Sequence, residues 1–206
     1  MGVLAPEQMT NTTNWAAVPA HELGVRDWSD FRAVHKAVMA LFATALPGAE
    51  HERRTTSKIL FRVDDTPRGR IVLVQSAVPV DRPTPGTVSK DVTGRLAPPA
   101  GSMVRFRVAV NAVQRVSRSG ADRPVRQADL ADWLSGKLAP ALDQVTVLTS
   151  VRTVHKPRGG GRVLQVDVVD GIAQVADHDA LAELTSDGVG RGKAFGCGLL
   201  TVTPLR

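Results

Sequence analysis

Five of the chain's 13 prolines fall between residues 79 and 101, at Pro79, Pro83, Pro85, Pro98 and Pro99. Each lacks a backbone donor and disfavours helix at the residue before it. Neither a regular helix nor a central strand is expected to run through such a stretch. A chain of 206 residues interrupted there is expected to fold as two parts. We read residues 1–14 as an extension, 15–80 as a first domain, 81–100 as a linker and 101–206 as a second domain. The extension is polar, and Met9 offers a second start.

The second domain has the clearer periodicity. Over Ser102 to Val110, Val104, Phe106, Val108 and Val110 take one face of a strand, and Arg105 and Arg107 the other. An arginine-rich loop follows, from Gln114 to Arg126. Leu130, Trp133, Leu134 and Leu138 then mark one side of a helix. Val145 to Val154 is a strand, the basic Lys156 to Gly161 a connection, and Val163 to Val169 another strand. Asp170-Gly171 signals a tight turn into a short strand, Ile172 to Ala176. Asp177 or Asp179 caps a helix carrying Leu181 and Leu184. A glycine-rich loop and a strand over Leu199 to Thr203 close the chain.

This order, β-α-β-β-α-β with one extra short strand, is ferredoxin-like. In the first domain Asn14 to Pro19 is a weak strand. The next helix is capped by Asp27 or Ser29, carries Phe31, Val34, Val38, Leu41 and Phe42 on one face, and stops at Pro47-Gly48. Lys58 to Val63 and Arg70 to Ala77 form a hairpin. The first domain thus reads as strand-helix-strand-strand, a second ferredoxin-like copy whose latter half is not visible. The fold class is α+β, two tandem ferredoxin-like domains.

The formal net charge is +6, and 20 of the 26 basic residues are arginine. Residues 101–165 carry 11 basic and 4 acidic residues, whereas 166–206 carry 3 and 6. A local basic field of planar, always-charged guanidiniums suits phosphate, and nucleic acid first of all. A GC-rich genome, which prefers arginine to lysine, would produce part of the same excess. The single cysteine, Cys197, allows no disulfide within the chain. With no leader pattern and no bilayer-length apolar run, a cytoplasmic protein is expected, with no membrane partner.

Three features carry candidate chemistry. Gly188 to Leu200 (GVGRGKAFGCGLL) places Arg191 and Lys193 among five glycines. Such a loop exposes N–H groups to a phosphate backbone, or is simply a tight helix–strand turn. It is not a nucleotide loop. Gly192-Lys193 is followed by Ala194 rather than Ser or Thr, Asp187 stands five residues before Gly192, and G-x-G-x-x-G fails at Lys193 and Phe195.

His35 lies beside the apolar stripe of the first helix. It is either a half-buried packing residue or a general acid/base. Arg115, Arg118, Arg123 and Arg126 cluster in one loop, and Lys156 and Arg158 in another. Neither loop contains an aromatic residue. That argues against base stacking and for backbone and shape recognition of folded RNA. The bland alternative is a pair of solvated loops. The five histidines and one cysteine have no metal-ligand spacing, so no metal or other cofactor is expected.

The ending GVGRGKAFGCGLLTVTPL resembles that of the CasE family, the CRISPR-RNA processing endoribonucleases of the Cascade (type I-E) system. RAVHKAVMALF, GSMVRFRVAVNA and ADLADWLSGKL resemble that family's early helix, the opening strand of its second domain and the helix after its basic loop. The resemblance spans roughly Asp27 to Leu205 in order. It implies tandem ferredoxin-like domains and metal-independent cleavage at the base of a CRISPR repeat stem-loop, giving a 2′,3′-cyclic phosphate and a 5′-OH. It also implies retention of the product with other Cascade subunits.

The family histidine falls on His35. The tyrosine that family members carry three residues earlier is Arg32 here, and the chain has no tyrosine. A second catalytic group then falls to Lys36 or Arg32, and we take Lys36. On the endoribonuclease reading, RNA binding falls to the two basic loops and the glycine-rich loop, at Arg115, Arg118, Arg123, Arg126, Lys156, Arg158, Gly190, Arg191 and Lys193. Two other readings stand beside it. One is a non-catalytic subunit capping a guide-RNA hairpin. The other is a small-molecule regulatory domain, which leaves the basic stretch unexplained.

Overall fold

The computed structural model describes residues 12–42, 46, 52–115, 122–155 and 163–205. The chain forms two units. The first comprises residues 1–95 with 193–196, and the second 96–192 with 197–206.

The first unit is built on a four-stranded antiparallel sheet ordered β2-β3-β1-β4. Its strands are β1 (Asn14–Pro19), β2 (Leu60–Thr66), β3 (Gly69–Ser76) and β4 (Val88–Asp91). Helices α1 (Phe31–Ala40) and α2 (Arg53–Thr56) lie between β1 and β2 in sequence. Val34, Val38, Leu41 and Phe42 join Val18, Phe61, Val72 and Val74 in one apolar core, as the stripe requires.

The cap of α1 differs from expectation. Asp30 accepts from the Arg32 and Ala33 amides, while the Asp27 carboxylate accepts from the Ser29 amide and hydroxyl one turn upstream. The regular helix ends at Ala40. The Pro47-Gly48 stop lies outside the described residues. The stretch read as a linker contains β4, which pairs Asn14–Ala17 of β1 with Asp91–Val88. No apolar face announces it, because all four of its residues are exposed. It completes the sheet whose last strand leaves no mark in the sequence, while residues 77–87 carry no helix.

The second unit's main sheet is ordered β10-β5-β9-β8. These are β5 (Met103–Val110), β8 (Leu142–His155), β9 (Leu164–Val175) and β10 (Leu200–Pro204). Helix α3 (Leu130–Leu138) follows β5, and α4 (His178–Asp187) follows β9. Val104, Phe106, Val108 and Val110 meet Leu130, Leu134, Leu138 and Leu181 in the core. Asp177 caps α4 by accepting from the Ala180 amide.

In each of these sheets the first and third strands lie at the centre, and the second and fourth at the edges. Both units are ferredoxin-like. Two sequence expectations need correction here. Asp170-Gly171 is not a turn. It lies within the single strand β9, so the extra short strand does not exist. Gly171 is instead a point of close approach, since a Cβ there would sit 2.4 Å from the Phe106 ring and 2.6 Å from the Thr146 carbonyl oxygen. The arginine-rich loop contains a small ribbon, β6 (Val113–Arg115) paired with β7 (Asp122–Pro124). Among the described residues no helix is long and apolar enough to cross a membrane.

Candidate active site and nucleic-acid interface

Phe31 and His35 stand four residues apart on α1 and so share a face. Against α1 in the first unit packs a one-turn 3-10 helix, Lys193–Phe195, and the Phe31 and Phe195 rings lie 5.9 Å apart. Gly196 makes the turn possible. Its φ is +83°, and an added Cβ would come within 3.1 Å of the Phe61 ring. Lys193 and His35 therefore belong to one unit, although 158 positions separate them in sequence.

His35 is half-buried, and its Nδ1 is buried with no hydrogen-bond partner among the described residues. No hydrogen bond at that nitrogen fixes the tautomer. Burial holds its pKa below the ordinary value of 6.5, and the positive charge of Arg54 adds to the depression. The ring is thus predominantly neutral near pH 7, in the state that accepts a proton.

Arg54, on α2, is itself half-buried. It donates from Nη1 to the Ile59 carbonyl at 3.3 Å and from Nη2 to the Thr55 hydroxyl at 3.2 Å. Sequence reasoning missed this residue. Its signal was the basic pair Arg53-Arg54, set in a four-residue helix with no periodicity to read. Lys36, the neighbour of His35 on α1, is exposed.

In the second unit the glycine-rich loop is held by its backbone and by a buried polar chain. Val189 N–H donates to the Gly198 carbonyl at 2.8 Å, and Gly198 N–H to that of Ala109 at 2.7 Å. Asn111 forms an isolated β-bridge with Arg191, and its side-chain amide donates to the Gln165 carbonyl at 2.7 Å. The Gln165 side chain donates to Asp167, which is fully buried and also accepts from Arg152 at 2.6 Å. Gly192 sits in this crevice with φ +82°, and an added Cβ would lie 3.3 Å from that of Asn111. Burial pushes the Cys197 thiol up to about 12, with the Asp167 charge adding to the effect. Cys197 is accordingly an inert packing residue.

The predicted RNA-binding residues are distributed over several elements. Arg115 and Arg123 are exposed on β6 and β7, where Arg115 pairs in register with Asp122 and Arg123 with Gln114. Arg191 forms an ion pair with Asp122, which ties the glycine-rich loop to this ribbon within the second unit. Arg126 forms a bidentate pair with Asp129 at 2.6 and 3.0 Å. Gly190 is exposed, 3.8 Å from the Trp133 ring as measured from an ideal Cβ. Arg118, Lys156 and Arg158 lie outside the described residues. Among the described residues no group of three or more His, Cys, Asp or Glu side chains is placed to hold a metal ion.

A family model described as CRISPR associated protein matches residues 11–204. The chain is 28% identical over 198 residues to the CRISPR system Cascade subunit CasE of Escherichia coli strain K12, across 87% of this chain and 96% of that protein. Thermus thermophilus Cse3, solved bound to an RNA representing a pre-cleavage complex, matches with a TM-score of 0.75 at 21% identity. That match covers 94% of this chain and 100% of the other, and the likeness is one of fold. A chain of a CRISPR RNA-guided surveillance complex matches with a TM-score of 0.66 at 26% identity, over 94% of this chain and 100% of its own.

Proposed function

This chain belongs to the CRISPR associated protein family, and from that premise we propose that it is an endoribonuclease cleaving CRISPR precursor RNA at the base of the repeat stem-loop. It retains the product hairpin and works in the cytoplasm with other Cascade subunits. The observation that carries the reading is His35, half-buried, with a depressed pKa and an Nδ1 that has no partner among the described residues, beside the fixed charge of Arg54.

The chemistry follows from that pairing. The ribose 2′-oxygen attacks the adjacent phosphorus, and its proton passes to the neutral His35 imidazole. The bond from phosphorus to the 5′-oxygen breaks. The departing oxygen takes a proton from Lys36, leaving a 2′,3′-cyclic phosphate and a 5′-OH. Arg54 holds positive charge near the reacting phosphate, where negative charge builds in the transition state. No step calls for a metal ion. Arg115, Arg118, Arg123, Arg126, Lys156 and Arg158 contact the stem-loop backbone, and Gly190, Arg191 and Lys193 hold it at the glycine-rich loop.

The complete absence of tyrosine favours a second reading, a non-catalytic subunit that caps the guide-RNA hairpin. Incubation of repeat RNA with wild type and His35→Ala in EDTA separates the two. Cleavage by wild type, slowed about 10²- to 10⁴-fold in the variant, is the expected result. Tight binding without cutting by either protein supports the capping subunit. Equal cutting by both removes His35 from the reaction.

A further inference from the structure

The face of the second unit's sheet opposite its helices is polar, and its polar groups are in register. Thr201 of β10 stands opposite Arg107 of β5, Arg107 opposite Asp170 of β9, and Asp170 opposite Thr149 of β8. Directly opposed residues of antiparallel strands share a face, so these four form one row across all four strands. Thr203 opposite Arg105 begins a second row two residues along. The row is linked internally. Thr149 donates to Asp170 at 3.4 Å, and an Arg107 guanidinium nitrogen lies 3.7 Å from the same carboxylate.

These residues line a cavity of about 500 Å³, open to solvent and flanked by Leu148, which is 48% exposed. Arg105 is exposed at its rim, and among the described residues no carboxylate forms an ion pair with it. The strand alternation that put Arg105 and Arg107 on one face was legible in the sequence, yet neither residue enters the reaction or the stem-loop contacts proposed above.

We propose that this sheet face is a second RNA site, which takes the single-stranded segment flanking the repeat stem-loop. The inference rests on the reading of the chain as a repeat-RNA endoribonuclease. Arg105 and Arg107, two residues apart on one strand, offer planar donors to successive phosphates. Thr201 and Thr203 add hydroxyl donors beside them, and Asp170 accepts from a ribose 2′-OH. Leu148 gives a base an apolar surface. The concave shape suits an unpaired strand laid across the sheet rather than a rigid duplex. Phe106, the one aromatic residue lining the cavity, is buried, and the polar groups reach phosphate and ribose rather than base edges, so binding tolerates any flanking sequence.

The test uses the full chain and two RNAs with a 2′-deoxynucleotide at the cleavage position. One is the stem-loop alone, and the other carries a short single-stranded flank. Affinities are measured over a range of salt. The flank should tighten binding to wild type. Arg105→Ala should lose about tenfold on the flanked RNA and reduce its logarithmic salt slope by about 0.7. It should leave binding of the bare stem-loop unchanged, which also shows that the variant is folded. Arg105→Lys, which keeps the charge without the planar fork, should fall between. If the flank adds nothing to wild-type binding, or Arg105→Ala weakens both RNAs equally, the second site is refuted while the endoribonuclease reading stands. If wild type binds neither RNA, both fall.

Discussion

Replacing Gly171 by alanine adds one methyl group at the most crowded glycine described. The new Cβ would lie 2.4 and 2.5 Å from two Phe106 ring carbons and 2.6 Å from the Thr146 carbonyl oxygen. Ordinary carbon contacts begin near 3.5 Å, so the ring would have to retreat by about 1 Å. Phe106 is 1% exposed in the core and has nowhere to retreat. The carbonyl belongs to β8 at a bulged register, on backbone paired to the same strand.

We expect a cost at the upper end of overpacking, about 3 kcal/mol. That corresponds to a Tm lower by about 6–12 °C for a chain of this size. Calorimetry follows the transition that carries the second unit. Phe106→Leu should soften the penalty without abolishing it, because the Thr146 oxygen remains. A shift under about 2 °C, or an equal penalty with and without the Phe106 ring, would refute the reasoning.

Three further outcomes concern the site. The depressed pKa of His35 places the acid limb of the cleavage-rate profile below pH 6.5, because a base is lost only when it protonates. Arg54→Met removes the charge that adds to the depression, so the limb should move up towards 6.5, read from single-turnover rates across pH. The same depression makes the neutral ring a stabilising choice above its unfolded pKa, a contribution that declines as the pH falls below about 6.5. Asp122→Asn should free Arg191 from its ion pair. RNA affinity should then rise by at most about fivefold, the scale of an exposed pair, and filter binding at low salt reads the gain.

The sequence made the second unit legible where burial imposes a period. β5 alternates cleanly and α3 carries a stripe because one side of each meets the core. β4 escaped because a solvated edge strand needs no apolar residue and can sit between prolines. The β6–β7 ribbon escaped because three-residue strands rich in arginine and proline leave no pattern. Gly171 was misread because a glycine required by a neighbouring ring looks, in one dimension, like a glycine required by a turn. His35 was visible through its residue type and its place on α1. Arg54 was not, since its effect on His35 comes from folding beside it rather than from its neighbours in sequence.

The placement of residues 193–196 in the first unit has a consequence for dissecting the protein. The chain passes between units at 95/96, 192/193 and 196/197, so one cut cannot yield two whole modules. A fragment ending at Arg95 would keep α1 and its histidine but lose the Phe195 ring that lies against Phe31. The complementary fragment would carry that ring on a tether with no partner. A first unit with all its parts therefore needs residues 193–196 supplied to it as well as 1–95.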